Sequence, residues 1–158
     1  MGLFSHKKIE TIVAPVCGQL INLEKVSDPV FAKKMMGDGL AIIPDGSTIV
    51  SPVNGIVVTI FPTKHAIMLK SKHGLEIMLH LGIDTVELNG GPFTMAVREG
   101  TKVTAGQKLA EMDLKKIKAA GKDDTVMVII TDTNEIKNKI SYTERNITTG
   151  DPVFDIEL

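Results

Sequence analysis

The sequence predicts an all-β fold: an antiparallel, barrel-like sandwich with one or two short helices. Three observations predict it. Short runs rich in Val, Ile and Leu alternate with clusters of Gly, Pro, Asn and Asp along most of the chain, the pattern of strands joined by tight turns. Helical signals are confined to two brief segments. Two pieces of sequence also occur twice. Ile12-Val-Ala-Pro-Val-Cys-Gly18 returns as Ile49-Val-Ser-Pro-Val-Asn-Gly55, and Val103-Thr-Ala-Gly-Gln-Lys-Leu109 returns as Ile147-Thr-Thr-Gly-Asp-Pro-Val153. Each copy is a turn leading into a strand. Two copies of each indicate a duplicated architecture, whereas a solenoid needs three or more.

The elements follow in order. An alternating run at 19–23 follows the first repeat. Asp28-Pro29 offers an N-cap with proline at the first helical position, opening one or two helical turns toward Met35. Strands are expected at 40–43 and 48–50 around the turn Pro44-Asp-Gly46, and at 56–60 after the second copy of the repeat. Residues 66–70 and 75–81 read as a hairpin about Lys72-His-Gly74, with His73 an exposed, inert turn residue. A strand at 93–97 follows Asn89-Gly-Gly-Pro92. Residues 114–120 form a second short helix closed by Gly121, and 126–131 a further strand. The later repeat units end in Met112-Asp-Leu114 and Ile156-Glu-Leu158. With no linker and no low-complexity stretch, residues 1–158 are expected to be one domain, with 1–8 a disordered tail.

Composition narrows the function. A chain of 158 residues suffices for one core, and 43% hydrophobic with 23% charged residues is ordinary for a soluble protein. A net charge of -1 argues against nucleic acid as partner, since phosphate backbones call for a basic face. Trp is absent and Tyr occurs once, so stacking platforms for single strands are missing. The single Cys17 excludes an internal disulfide, and its neighbours offer no base, so it reads as a structural thiol in a reducing compartment. No apolar run approaches the roughly 20 residues that span a bilayer. The start lacks the apolar core of a signal peptide, and Gly2 is followed at position 6 by His rather than the Ser or Thr of a myristoylation signal.

The chemistry concentrates in Glu76-Ile-Met-Leu-His-Leu-Gly-Ile-Asp84. On a two-residue period Ile77 and Leu79 share one face, and Glu76, Met78 and His80 the other. His80 thus ends a strand on the face opposite the core stripe. Gly82 follows and lets the backbone come close to whatever binds there. A second histidine, His65, ends Pro62-Thr-Lys-His65. Pairing the hairpin about its turn sets positions summing to about 145 opposite one another, which makes His65 and His80 cross-strand neighbours. Thr63, His65, His80 and Asp84 together offer a hydroxyl, two imidazoles and a carboxylate, a set suited to phosphoryl or proton chemistry near neutral pH.

His80-Leu-Gly-Ile-Asp-Thr-Val-Glu-Leu-Asn-Gly90 closely resembles the active-site signature of the glucose-family enzyme IIA component of the bacterial sugar phosphotransferase system. Phe61-Pro-Thr-Lys-His-Ala66 resembles the segment with that family's second histidine, and Phe31-Ala-Lys-Lys-Met-Met-Gly-Asp-Gly-Leu-Ala-Ile42 its docking segment. The resemblance runs from about Ile9 to the C-terminus. It implies a duplicated hybrid motif. It implies that His80 accepts a phosphoryl group on Nε2 from the phosphocarrier HPr and passes it to a cysteine on the IIB domain of a membrane sugar permease. His65 would hold the phosphoryl group, and Thr63 would hydrogen-bond that imidazole. Asp28 and Asp84 match acidic positions flanking the site, and Phe31, Met35 and Met36 match docking positions. The resemblance also implies a cytoplasmic protein, transiently at the inner face of the membrane, with regulatory protein targets possible and neither cofactor nor metal.

Eight methionines exceed the usual need of a core this size. Met78 shares the His80 face and Met68 lies on the paired strand. With Phe31, Met35, Met36 and Phe61 they are expected to form an apolar, adaptable ring that receives partners of different shape. Asp84, which would repel a phosphoryl group, is expected to face a basic partner residue. Two other readings compete. Gly100-Thr-Lys-Val-Thr-Ala-Gly-Gln-Lys-Leu109 looks like part of a biotinyl or lipoyl carrier, but no lysine has the hairpin setting such carriers need, Glu111-Met-Asp-Leu-Lys115 being a faint echo. A zinc-binding barrel enzyme would need His where Gly82 stands, so its ligand set falls short.

Overall fold

A computed structural model describes residues 8–158, so Gly2, His6 and nearly all of the expected tail lie outside the described residues. The strands are β1 (Ile9–Val13), β2 (Gly18–Ile21), β3 (Asp38–Pro44), β4 (Thr48–Val50), β5 (Gly55–Ile60), β6 (Ala66–Ser71) and β7 (Glu76–Ile83). They continue with β8 (Phe93–Met95), β9 (Lys102–Val103), β10 (Lys108–Met112), β11 (Asp123–Ile130), β12 (Arg145–Ile147) and β13 (Pro152–Glu157). The helices α1 (Pro29–Ala32) and α2 (Leu114–Ala119) are short. Every strand pair is antiparallel. An open eight-stranded sheet runs β12-β2-β3-β11-β7-β6-β5-β9, accompanied by a three-stranded sheet β4-β10-β8 and the pair β1-β13. The chain is therefore all-β, as its turn-punctuated sequence predicts.

The sequence repeats are a structural duplication. The first pair of copies meets itself reciprocally: the Val13 N–H donates to the Pro52 carbonyl at 2.9 Å, and the Val50 N–H to the Pro15 carbonyl at 2.8 Å. The second pair docks on the first in matching fashion. Gly106 donates to Ser51 and Gly150 to Ala14, while Ser51 donates to Gln107 and Ala14 to Asp151, all at 2.8 Å. The edge pairings correspond too, with Gly55 opposite Val103 and Gly18 opposite Ile147.

The main core lies between the sheets and draws on all three of them: Ile12 and Phe154, Ile49 and Leu109, and Leu40, Ile67, Ile77, Leu79 and Val128. A smaller cluster covers the other face of the large sheet, where Leu23, Val26 and Phe31 lie over Ala41, Met78, Met127 and Ile129. Alternation along β7 sends Ile77, Leu79 and Leu81 to the main core and Met78 to the smaller cluster, until the left-handed Gly82 breaks the period and Ile83 joins Met78.

Local chemistry sets the helices. The Asp28 carboxylate caps α1 by accepting from the Val30 N–H at 2.8 Å. The helix stops after one turn because Lys34 turns left-handed at φ 58°, so Met35 lies beyond it. Asp113 caps α2 through the Lys116 N–H, and Gly121 follows at φ 74°. Lys115 is thereby helical, not at the tip of a hairpin. Among the described residues, the 3-10 turns at 23–25, 85–88 and 133–135 carry no sequence signal. Cys17 is free, and its thiol is raised above the ordinary range, first by a hydrogen bond with the Asp45 carboxylate and then by burial.

Candidate functional site

The hairpin of β6 and β7 builds the site. Its loop is one residue shorter than the one left between the expected strands, because Ser71 still belongs to β6. The Ser71 N–H donates to the Leu75 carbonyl at 2.8 Å, closing a three-residue loop with Gly74 at φ 93°. The register is therefore Ala66 opposite His80 and Met68 opposite Met78, one residue away from the expected pairing of His65 with His80. Continued as a strand, His65 would point away from His80. The ladder ends at Ala66, however, and Lys64 turns left-handed at φ 59°, which re-aims His65. The two imidazoles still meet, with centroids 5.2 Å apart and ring planes at 78°.

Each ring has a fixed neighbour at Nδ1. His80 Nδ1 lies 2.6 Å from the Gly82 carbonyl oxygen. A carbonyl only accepts, so the neutral ring carries its proton on Nδ1 and leaves the Nε2 lone pair free. His65 Nδ1 lies 2.6 Å from Thr63 Oγ1. Burial pulls the His80 pKa down to about 4; the Gly82 carbonyl and the Asp28 and Asp84 carboxylates push the other way, while His65 lowers it further. Burial lowers His65 as well. Both rings are thus neutral at pH 7.

Gly82 has φ 81°, but its missing side chain does not make room for a ligand as expected. A Cβ there would overlap the Thr85 methyl and lie 3.0 Å from the Asp123 carbonyl oxygen. The close approach is between β7 and its own surroundings. Thr85, fully buried, donates to the Leu81 carbonyl at 2.6 Å.

The surrounding residues divide in two. Phe31 is largely buried and packs its ring 4.9 Å from that of His80, and Phe61 stands edge-on to His65 at 5.4 Å. Met78 is only 5% exposed and belongs to the smaller core cluster. It supports the site from beneath, contrary to its expected place in an accessible ring, because α1 roofs this face of the sheet. Met68 and Phe61 are half-buried. Met35 and Met36 are 70% and 43% exposed, and Val30 and Val86, which the sequence reading missed, are exposed on the same flanking segments. Asp28 is half-buried as a helix cap, and Asp84 is exposed at φ 59°. Met127, directly opposite His80 on β11, was also missed, because nothing sets it apart from the other apolar residues of its strand in sequence. Among the described residues no group of three or more His, Cys, Asp and Glu side chains comes together as a metal site. Nor is any helix among them long and apolar enough to cross a membrane.

A duplicated β-fold that presents a neutral imidazole with its Nε2 open, beside a second oriented imidazole, defines a small protein suited to carrying a group on histidine. The chain belongs to the EIIA 1 family of the phosphoenolpyruvate-dependent sugar phosphotransferase system, whose family model matches residues 10–136. It is a phosphotransferase component, a phosphocarrier in sugar transport. It is 46% identical over 145 residues to a PTS system glucose-specific EIIA component of Bacillus anthracis, covering 90% of this chain and 88% of that one. It is 50% identical over 129 residues to a PTS system glucose-specific EIICBA component of Streptococcus pneumoniae, which is 82% of this chain but only 18% of that longer protein. The structure resembles that of glucose permease IIA from Mycoplasma capricolum, with a TM-score of 0.82 and 36% identity, covering 94% of this chain and 96% of the other.

Proposed function

We propose that His80 is the phosphoryl acceptor, that phospho-HPr is the donor, and that a cysteine on the IIB domain of a glucose-class permease is the recipient. One observation carries the reading: the Gly82 carbonyl occupies Nδ1 of a buried, neutral His80, leaving Nε2 as the nucleophile. In the first step the Nε2 lone pair attacks phosphorus, and an Nε2–P bond forms as the bond between phosphorus and HPr breaks. In the second, the IIB thiolate attacks and the Nε2–P bond breaks. Such transfers depend on positioning and on donors to the phosphoryl oxygens.

His65 is one such donor. When the Thr63 hydroxyl donates to Nδ1, the proton of the neutral ring sits on Nε2. Met35, Met36 and Val30 offer exposed apolar contact to both partners, and Asp84 faces a basic residue on them. The protein works in the cytoplasm and meets its permease at the inner membrane face, and its phosphorylation state is available for regulatory targets to read. The test is intact-mass measurement after incubation with phosphoenolpyruvate, enzyme I and HPr. One acid-labile phosphoryl group on the wild type and none on His80→Ala is expected. No gain on the wild type while HPr is itself phosphorylated would defeat the reading.

A further inference from the structure

We propose that Asp123 is a positioning residue for His80, a single carboxylate that ties helix α1 to the turn fixing the imidazole; its consequence for transfer rests on His80 being the acceptor. Asp123 opens β11 opposite Ile83, and the pairing then slips so that Val126 faces Leu81. Asp124 and Thr125 therefore oppose Gly82 alone, a β-bulge beside the site. Bulges of this kind re-aim neighbouring groups.

The carboxylate of Asp123 shapes that bulge. Its Oδ1 accepts from the Thr125 N–H at 2.9 Å and from the Thr125 hydroxyl at 2.6 Å. The bulge sets the Asp123 carbonyl against Gly82, on the side where the Thr85 side chain also crowds it. Gly82 thus has little freedom, and its carbonyl is the group that fixes the His80 tautomer. The second oxygen, Oδ2, accepts from the Ser27 hydroxyl at 3.0 Å. Ser27 immediately precedes Asp28, the cap of α1, and α1 carries the Phe31 ring that lies against His80.

Asp123 therefore holds both supports of His80: the carbonyl at Nδ1 and the aromatic wall. A strand-start residue needs only the Thr125 pair; the Ser27 bond spans 96 residues of sequence and joins a different element. A partner that presses on exposed Val30 of α1 acts on the same carboxylate.

The test uses 15N-histidine NMR of the full chain with phosphoryl-transfer kinetics, comparing wild type, Asp123→Ala, Asp123→Asn and Ser27→Ala, each checked by thermal melting. Asp123→Ala is expected to mix the His80 tautomers and to lower kcat for acceptance from phospho-HPr about tenfold, the scale of losing an orienting partner. Asp123→Asn keeps an acceptor for Thr125 and donates to the Ser27 hydroxyl instead, so both readouts return to within about twofold of wild type. Ser27→Ala cuts only the link to α1 and is expected to raise KM several-fold with the tautomer unchanged. An Asp123→Ala protein with wild-type His80 nitrogen shifts and pH profile overturns the proposal. If Asp123→Ala does not fold, a Ser27→Ala protein with wild-type KM overturns it. The tautomer spectra need no phosphoryl donor, so failure of His80 as acceptor shows separately, as absent transfer to the wild type.

Discussion

The His65 and His80 rings stand nearly perpendicular, at 78°, with their centroids 5.2 Å apart. On the proposed reading, His65 donates to the phosphoryl group that His80 carries. His65→Ala is expected still to accept a phosphoryl group but to pass it on about 10²-fold more slowly, the typical loss of one donor to transferring charge. Thr63→Val, which removes only the hydroxyl at 2.6 Å, is expected to lose about tenfold. Single-turnover transfer to IIB measures both, and unchanged rates would remove His65 from the reaction.

His80 is displaced toward neutrality, from about 6.5 to about 4. As the proposed nucleophile it must be unprotonated, so acceptance is expected to stay flat from pH 8 to about 5 and to fall as pH drops through 4. Stability follows the same window. Between pH 6.5 and 4 the unfolded chain binds a proton that the folded ring refuses, so stability is full above 6.5 and is lost on acidification toward 4, by up to about 3 kcal/mol. His80→Gln should flatten that part of a pH series of urea unfolding curves. A series as steep in the variant as in the wild type would assign the loss elsewhere.

Gly82→Ala meets a left-handed backbone at φ 81° and the Thr85 methyl together. We expect a loss of about 2 kcal/mol, or roughly 6 °C in Tm for a domain of this size. Acceptance should fall as well, because the carbonyl that holds His80 moves. Differential scanning calorimetry and the mass assay measure the two effects, and a variant with unchanged Tm would contradict the close packing described for Gly82.

Met36 and Met78 should respond differently to Ser. Met36 is 43% exposed and Met78 only 5%. Met36→Ser is expected to weaken HPr binding several-fold with little change in stability, whereas Met78→Ser should cost about 2–3 kcal/mol of stability. Titration calorimetry beside thermal melts separates them. Equal effects on binding would restore Met78 to the docking surface.

Asp84 is exposed and flanks the site. Asp84→Asn is expected to lower HPr affinity about threefold at low salt and to flatten its salt dependence. An affinity and salt slope identical to the wild type would dissociate Asp84 from the partner.

Much of this was legible in sequence, for identifiable reasons. The repeats were visible because the duplication is carried by Pro and Gly at turns whose hydrogen bonds match pair by pair, such as Val13 to Pro52 and Val50 to Pro15. The β7 face of His80 followed from a strict two-residue alternation. The register missed by one because the loop closes on Ser71 and Leu75, and a turn's hydrogen bonds are not written in its residue types alone. Burial of Met78 and Phe31 was hidden for another reason: alternation assigns a face, but not whether a distant element such as α1 covers it. The links from Asp123 to Ser27 and from Thr85 to Leu81 join ordinary polar residues, which carry no local signal of their partners.

Nε2 of His80, and no other atom, is proposed to take up the phosphoryl group. The most direct test is 15N and 31P NMR of the protein labelled at histidine and phosphorylated through HPr. A single phosphohistidine is expected, with phosphorus coupled to Nε2 of His80 and with its Nδ1–H retained toward Gly82. Phosphorus on Nδ1, on His65, or on no histidine at all would contradict it.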